Sequence, residues 1–477
     1  MAQELVGESM TTEYWRWSAV QTAHAIRSGE VTSEAVTASH IRRMRAVNAA
    51  LNAVVVDLTE SALEAARAAD RARTAGAELG ALHGVPVTVK INIDLEGQAN
   101  SNGVVGLANL IAPSDSPVVA NFRAAGAVIL GMTNTPEFSL RAFTDNPLHG
   151  QTLNPWDREI TCGGSSGGGA ASIAAGIGTI AHGNDIGGSL RWPAACNGIA
   201  TIKPTLGRVP AYNASAPSER PPMAQLMSVQ GPLCRDVDDL RLALEVLSRR
   251  DPRDPWWVPA PLTGSPAPRR VAKAVIPADM DCDSRVMALL DQAATHLTDA
   301  GYEVVETEVP DIDGTWRLWC DLISTEINTL QIGQMRALGS APFIGSLEGL
   351  VRMAKPLDLE GYMAGVASRA RRLRDWMALL ETHPIILAPI SVQPTPAFDA
   401  DLKGDVAVKR IFWNDLRFVG AISVLGLPVA VTPAGLVDGK PVGVQLIGSR
   451  YREDLCLDAA AAIEARVGVL AQTLWAR

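Results

Sequence analysis

A single lysine lies within an apolar stretch early in the chain. Lys90 is surrounded by Val87, Val89, Ile91 and Ile93, in a protein whose basic residues are mostly arginine. Apolar surroundings disfavour the ammonium form, lower the pKa of a lysine from its usual value of about 10.4, and leave part of the population neutral and able to act as a base. The alternative is that Lys90 points into solvent from an edge strand, where lysines are common.

A second candidate is the segment CGGSSGGGAASIAAG at residues 162–176, with five glycines and two serines between Gly163 and Gly169. The segment lacks the GK[ST] ending of a phosphate-binding loop, which argues against nucleotide binding. A flexible linker is a second interpretation, although an Ala/Ile run typical of a helix follows directly. The pentapeptide GGSSG also matches the GxSxG elbow of α/β-hydrolases, which makes Ser165 a candidate nucleophile.

A third segment, HGNDIGGSLRWPAACNG at residues 182–198, places two glycines directly before Ser189. Glycines let the chain turn tightly and expose successive N–H groups, the arrangement that binds a developing oxyanion next to a serine hydroxyl. An ordinary turn at the end of a strand is the other interpretation, since Gly-Gly-Ser turns are frequent.

The composition limits the partners of the chain. Its 477 residues carry 42 basic and 51 acidic side chains without a polybasic run, which argues against binding nucleic acid or an anionic membrane surface. The acidic start lacks the pattern of a secretion signal, and no apolar run reaches the roughly 18 residues of a membrane helix. We therefore expect a cytoplasmic protein. The six cysteines and seven histidines are dispersed without CxxC or HExxH, so we expect no metal site.

Strand and helix signals alternate along most of the chain. Helical spacing at 33–47 and 61–75 is followed by the strand segment 85–93, a helix at 116–125 and a strand at 127–131. After a Pro-rich passage at 250–268, the alternation resumes and ends in the segments IILAP and GLPVAVTPAGLVDGKPVGVQLIG. This alternation predicts an α/β protein.

Taken together, the three segments resemble the amidase signature family, the Ser–cis-Ser–Lys hydrolases. A lysine in an apolar strand is followed 73 residues later by GGSSGG, and the serine of DIGGSLR comes 24 residues after Ser165. The resemblance covers nearly the whole chain. It includes the segments GVPVTVKINIDLEG (84–97), AAGAVILGMTNTPEF (124–138), DNPLHGQTLNPWD (145–157), KPTLGRVP (203–210) and GLPVAVTPAGLVDGKPVGVQLIG (426–448).

The resemblance implies one α/β/α domain over residues 1–477, with a mixed, mostly parallel twisted sheet covered by helices on both faces. Within this domain we expect an N-terminal helical layer at 1–80 and a catalytic core at 81–250. Residues 251–477 are expected to continue the same sheet with helical cover.

The resemblance also implies the roles of the site residues. Ser189 is expected to be the acyl-accepting nucleophile, Ser165 the serine on a cis peptide and Lys90 the base behind it, with no cofactor. The N–H groups of the oxyanion site are expected to come from Ile186, Gly187 and Gly188. The expected substrate pocket comprises Met132, Phe138, Gly163, Gly164 and Trp192.

Three positions depart from the usual family pattern. Ile91 stands where an Asp commonly follows the lysine, Asn184 where Thr or Ser precedes Asp185, and Met132 where a Lys is usual. The missing carboxylate beside Lys90 predicts a drier site, in which the lysine loses its proton more easily.

The expected function is hydrolysis of the C–N bond of a small neutral amide by a monomer or homodimer. Primary amides, aryl anilides, carbamates and esters are all candidate substrates. One alternative is the glutaminase subunit of an amidotransferase complex. Another is an α/β-hydrolase-like esterase that uses Ser165 with His182, His296 or His383.

Overall fold

Eleven strands form one continuous sheet. Their bounds are β1 Val54–Asp57, β2 Pro86–Lys90, β3 Val128–Thr133, β4 Ile180–Asp185, β5 Ala200–Lys203, β6 Val229–Cys234, β7 Arg270–Ala274, β8 Glu303–Thr307, β9 Ile385–Pro389, β10 Val429–Val437 and β11 Lys440–Gly448. In the computed structural model, which describes residues 12–476, they follow the spatial order β1-β3-β2-β4-β6-β5-β10-β11-β9-β7-β8. Residues 1–11 lie outside this range. The expectation that the chain lacks a secretion signal depends on them, and so does part of the expected 1–80 helical layer.

Seventeen α-helices are present in the described residues. They are α1 Ala19–Ser28, α2 Ser33–Leu51, α3 Thr59–Thr74, α4 Pro117–Ala124, α5 Gly167–Ala174, α6 Arg191–Asn197, α7 Pro222–Met227, α8 Val237–Leu247, α9 Ser284–Asp299, α10 Ile312–Glu326, α11 Ile332–Leu338, α12 Ala341–Met353, α13 Leu359–Thr382, α14 Asp405–Lys409, α15 Arg417–Leu425, α16 Glu453–Val467 and α17 Leu470–Trp475. π-Helical turns lie between α10 and α11 and between α14 and α15.

Helices cover both faces of the sheet. Along β9, Ile385 and Leu387 belong to the apolar cluster that includes residues of α4, α8, α9 and α16, whereas Ile386 and Ala388 belong to the cluster that includes residues of α5, α6, α10 and α15. This alternation follows from the two-residue period of a strand. The structure is thus a single α/β domain with a mixed sheet between two helical layers, and the predicted fold class is confirmed.

The prediction that the mixed sheet is mostly parallel is wrong, because antiparallel pairings outnumber parallel ones. Four strand pairings are parallel and six are antiparallel. The turn between β10 and β11 makes one antiparallel pair a hairpin, whereas the antiparallel pairs β1–β3, β4–β6, β5–β10 and β9–β11 join strands that are not consecutive in the chain.

The alternative of an edge position for Lys90 is also wrong. Strand β2 lies between β3 and β4, and the Lys90 side chain is completely buried. The strand ends at Lys90, earlier than predicted, because the chain turns there and Ile93 N–H bonds to the Lys90 carbonyl.

Within residues 12–476, no helix combines the length and apolar character needed to cross a membrane. The same residues contain no group of three or more His, Cys, Asp or Glu side chains that could hold a metal ion.

Candidate active site

A buried hydrogen bond joins the predicted base to the predicted relay serine. Lys90 ends strand β2, and its Nζ lies 2.7 Å from the Oγ of Ser165. Ser165 lies just before helix α5, and the peptide bond between Gly164 and Ser165 is cis. The sheet and the start of this helix thus bring together two side chains that are 75 residues apart.

Three uncharged oxygen atoms surround the Lys90 amine. Besides Ser165 Oγ, they are Ser166 Oγ at 3.2 Å and Asn184 Oδ1 at 2.8 Å. Burial lowers the pKa of Lys90 well below its usual value, although the charge of Asp185 acts in the opposite direction. A neutral amine keeps a lone pair. Because a serine hydroxyl can donate as well as accept, that lone pair can take the Ser165 proton.

A second asparagine, Asn92, fixes the orientation of Asn184. Asn184 Nδ2 donates to Asn92 Oδ1 at 2.9 Å, and Asn92 Nδ2 donates to Ser139 Oγ at 2.9 Å. These bonds leave the Asn184 carbonyl oxygen facing Lys90. Sequence analysis identifies Asn184 as a departure from the family pattern, but it does not predict a role for Asn92. The only indication that Asn92 belongs to the site is its position two residues after Lys90.

The Asp185 carboxylate organises the turn that leads to Ser189. It accepts hydrogen bonds from Gly188 N–H at 2.8 Å and Leu190 N–H at 3.1 Å, and it forms an ion pair with Arg191 at 2.9 Å. Burial alone would raise the pKa of Asp185, but Arg191 lowers it to about 2. The geometry does not support Gly188 as an oxyanion donor, because its N–H is already bound to this carboxylate.

Ser189 lies at the end of this turn, beside the two serines of the earlier segment. Its side chain is partly exposed, and its carbonyl oxygen accepts a hydrogen bond from Ser166 N–H at 3.1 Å. Within residues 12–476, the N–H groups of Ile186 and Gly187 make no hydrogen bond. The turn therefore offers a hydroxyl together with two free backbone donors, as an oxyanion site requires.

Aromatic side chains from distant helices lie near this turn. Trp319 of α10 donates its indole N–H to the Ile186 carbonyl at 2.8 Å, and it stacks on Trp316 with ring centroids 4.9 Å apart. Phe138, which is partly exposed, contacts Phe343 at a centroid distance of 5.2 Å. Phe138 was predicted as a pocket residue. The sequence does not predict a role for Trp319 itself, because nothing in the local sequence indicates that α10 packs against the turn.

Two other predicted pocket residues belong to the core instead. Met132 packs with Val89 on the face of the sheet opposite Lys90, as strand alternation requires. Trp192 is buried and donates its indole N–H to the Ala142 carbonyl at 3.0 Å. The predicted pocket roles of both residues are corrected to structural ones.

The two predicted pocket glycines are tightly packed. A Cβ on Gly163 would lie 2.7 Å from Pro193 Cα, and one on Gly164 would lie 2.5 Å from the Arg141 carbonyl oxygen. These glycines allow the Ser165 loop to approach neighbouring backbone, because no side chain fits at either position.

The histidines of the esterase hypothesis do not support it. His182 uses Nδ1 to contact the Lys90 backbone N–H at 3.4 Å and Nε2 to contact Gln230 Oε1 at 2.8 Å. Burial lowers the pKa of His182 to about 3, so the ring is neutral. His296 lies on α9, across the sheet from the site, and His383 follows the end of α13.

Comparison with known proteins agrees with the geometry. The indoleacetamide hydrolase of Bradyrhizobium diazoefficiens is 59% identical over 464 residues, which cover 97% of this chain and 88% of that protein. A glutamyl-tRNA(Gln) amidotransferase subunit from Moorella thermoacetica is 32% identical and covers 95% of this chain and 97% of its own length. The structure of a bacterial aryl acylamidase of the amidase signature family superimposes with a TM-score of 0.81 at 25% identity, covering 96% of this chain and 97% of that one.

A family model also matches most of the chain. Residues 35–457 fit the model of the Amidase family. This span contains all three chemistry-bearing segments and all eleven strands of the described sheet. The chain belongs to the amidase signature family and is a C–N amide hydrolase.

Proposed function

We propose that the protein hydrolyses the primary amide of an arylacetic acid, with indoleacetamide as the first substrate to test. The reaction passes through an acyl-enzyme on Ser189. The observation that carries the mechanism is the 2.7 Å hydrogen bond between Lys90 Nζ and Ser165 Oγ, next to the Ser189 turn. The identity of 59% to an indoleacetamide hydrolase supports the substrate.

The first half of the reaction moves one proton along the two serines. Neutral Lys90 accepts the proton of Ser165 Oγ while Ser165 accepts the proton of Ser189 Oγ, and Ser189 attacks the amide carbonyl. The N–H groups of Ile186 and Gly187 stabilise the oxyanion. In other acyl-transfer enzymes, the loss of one such donor costs about 3–4 kcal/mol.

The second half reverses this transfer. The proton on Lys90 returns through Ser165 to the leaving nitrogen, and ammonia departs from the tetrahedral intermediate. Water then attacks the ester on Ser189 with the same two residues acting as base. Protons balance over the cycle with side chains and water alone.

The aromatic surroundings favour an acyl group that carries a ring. Trp319 contacts the turn through the Ile186 carbonyl, and Phe138 contacts Phe343 within the same apolar cluster. A contact between two aromatic rings contributes about 0.5–1.5 kcal/mol of binding free energy in addition to the contribution from the buried apolar area. A planar indole or phenyl ring is therefore expected to bind better than a small or charged acyl group.

The glutaminase alternative has weaker support. The amidotransferase protein from Moorella thermoacetica is 32% identical to this chain, against 59% for the indoleacetamide hydrolase. Glutamine carries a charged α-amino acid group that would need ionic partners. The aromatic rings of Trp319 and Phe138 near the turn do not supply such partners.

The test is a substrate panel with the purified protein. Indoleacetamide, phenylacetamide, acetamide, L-glutamine and an aryl p-nitroanilide are compared by release of ammonia or nitroaniline, with acid product identified by chromatography. Burial of an indole ring predicts that kcat/KM for indoleacetamide exceeds that for acetamide by about 100-fold or more. A preference for glutamine or acetamide would overturn the substrate proposal. Undiminished turnover by the Ser189→Ala variant would overturn the mechanism.

A further inference from the structure

Trp319 connects a distant helix to the backbone of the candidate oxyanion site. Its indole Nε1–H donates to the Ile186 carbonyl at 2.8 Å, across 133 residues of sequence. The ring also lies against Gly187 so closely that a Cβ there would clash with Trp319 Cζ2. One side chain thus contacts both residues of the Ile186–Gly187 peptide.

The orientation of that peptide follows from its planarity. In a trans peptide unit, the C=O and N–H groups point in opposite directions. Because the Ile186 carbonyl points to Trp319, the Gly187 N–H points away from it, and within residues 12–476 nothing accepts its hydrogen. The Gly188 N–H is bound to Asp185 Oδ1 at 2.8 Å, so the peptide is held on both sides.

We propose that Trp319 is a positioning residue that aims the Gly187 N–H at the tetrahedral oxyanion. The inference rests on the proposed function, because it requires the oxyanion to form on Ser189. Such preorganisation matters because a donor already fixed in place needs no reorientation when charge develops.

The neighbouring tryptophan provides a matched control. Trp316 stacks on Trp319 at an interplanar angle of 14°, lies on the same helix and is equally part of the apolar cluster. Its indole Nε1 is buried and, among the described residues, has no hydrogen-bond partner. Trp316→Phe and Trp319→Phe therefore remove similar ring area, and only the second removes a hydrogen bond to the turn.

The readout separates binding of the ground state from stabilisation of the tetrahedral state. Phenylacetaldehyde is the probe, since the O–H of Ser189 adds across its C=O bond: the Oγ–C bond forms and the proton goes to the former carbonyl oxygen, with no leaving group. Phenylacetate is the control ligand because it is not expected to form such an adduct. The measured quantities are kcat and KM for the amide and Ki for both ligands.

For Trp319→Phe we expect kcat to fall by about 10-fold to 100-fold and the Ki of phenylacetaldehyde to rise by a similar factor. The KM and the Ki of phenylacetate should change by less than about threefold. Trp316→Phe should change every quantity by less than about threefold. Equal effects of the two variants, or a Trp319→Phe effect confined to KM, would overturn the inference.

A shape-preserving replacement guards against a folding defect. Incorporation of 3-benzothienylalanine at position 319 keeps the bicyclic ring and lacks the N–H, so it should reproduce the loss of kcat without a change in the urea midpoint. Full activity of that protein would overturn the inference. The outcome for the proposed function is separate: it fails if Ser189→Ala keeps its activity, whatever the tryptophan variants do.

Discussion

The Nζ of Lys90 and the Oδ1 of Asn184 lie 2.8 Å apart, so the buried amine faces a neutral amide where a carboxylate would favour the ammonium form. The nearest carboxylate, Asp185, is paired with Arg191, and the neighbouring His182 is neutral because burial lowers its pKa to about 3. Lys90 is therefore expected to be the group whose ionisation controls the rate.

The first prediction concerns the pH profile. In the proposed mechanism the neutral form of Lys90 is the active one, so kcat/KM should rise with pH through a single ionisation and be lost as pH falls below it. Asn184→Asp places a negative charge next to the amine and raises the pKa of Lys90, which moves the rise to higher pH. At pH values below the midpoints of both profiles, kcat/KM should fall about tenfold for each pH unit of displacement, and it should recover at alkaline pH.

Asn184→Thr is the control for this experiment, because it supplies a neutral oxygen and should leave the midpoint of the profile near that of the wild type. A profile of Asn184→Asp that coincides with the wild type would show that this position does not influence the base.

The second prediction concerns stability. Arg191 and Asp185 form an ion pair in which both side chains are fully buried. Arg191→Met leaves the carboxylate without its charged partner, and it should lower the free energy of unfolding by about 3–5 kcal/mol, measured by urea denaturation. The control is Arg241→Met, which breaks a solvent-exposed pair with Asp458 and should cost less than about 1 kcal/mol. Equal losses in the two variants would contradict the argument.

The sequence predicts those parts of the site that are encoded locally. Strand β2 around Lys90, the glycine-rich turn before Ser189 and the loop of Ser165 are each recognisable within about fifteen residues, because the backbone conformation there depends on short-range patterns. The mixed sheet between two helical layers follows from the alternation of strands and helices.

The parts that could not be predicted depend on contacts between distant segments. Trp319 contacts Ile186 only because α10 packs over the turn. The Gly188 N–H donates a hydrogen bond to the Asp185 carboxylate, and the sequence does not show in which direction that side chain points. Met132 illustrates the same limit. Its position in an apolar strand is clear from the sequence, but the face to which it points depends on the pairing register between β2 and β3.

The third prediction tests the packing of helix α15 against the Trp316 ring. Gly420 of α15 lies against the Trp316 ring so closely that a Cβ would clash with it. Gly420→Ala should lower the free energy of unfolding by about 1–3 kcal/mol through overpacking. A Cβ added to Gly345 on α12 would have no neighbour within 4 Å. Gly345→Ala should therefore stabilise the protein by up to about 1 kcal/mol, because alanine is the better helix former. Urea midpoints that move in the same direction for both variants would count against this assignment.

The fourth prediction identifies the nucleophile. Ser189 is partly exposed at the end of its turn, whereas Ser165 is 1% exposed and bonded to Lys90. A fluorophosphonate should therefore label Ser189, as located by mass spectrometry of the digested protein, and Ser189→Ala should abolish both labelling and turnover while its circular dichroism spectrum remains that of the wild type. Ser165→Ala should keep the Ser189 target and slow its labelling, since the proton path to Lys90 is interrupted. Label found on Ser165 in the wild-type protein would reverse the two assignments and revive a mechanism in which the lysine-bound serine attacks the substrate directly.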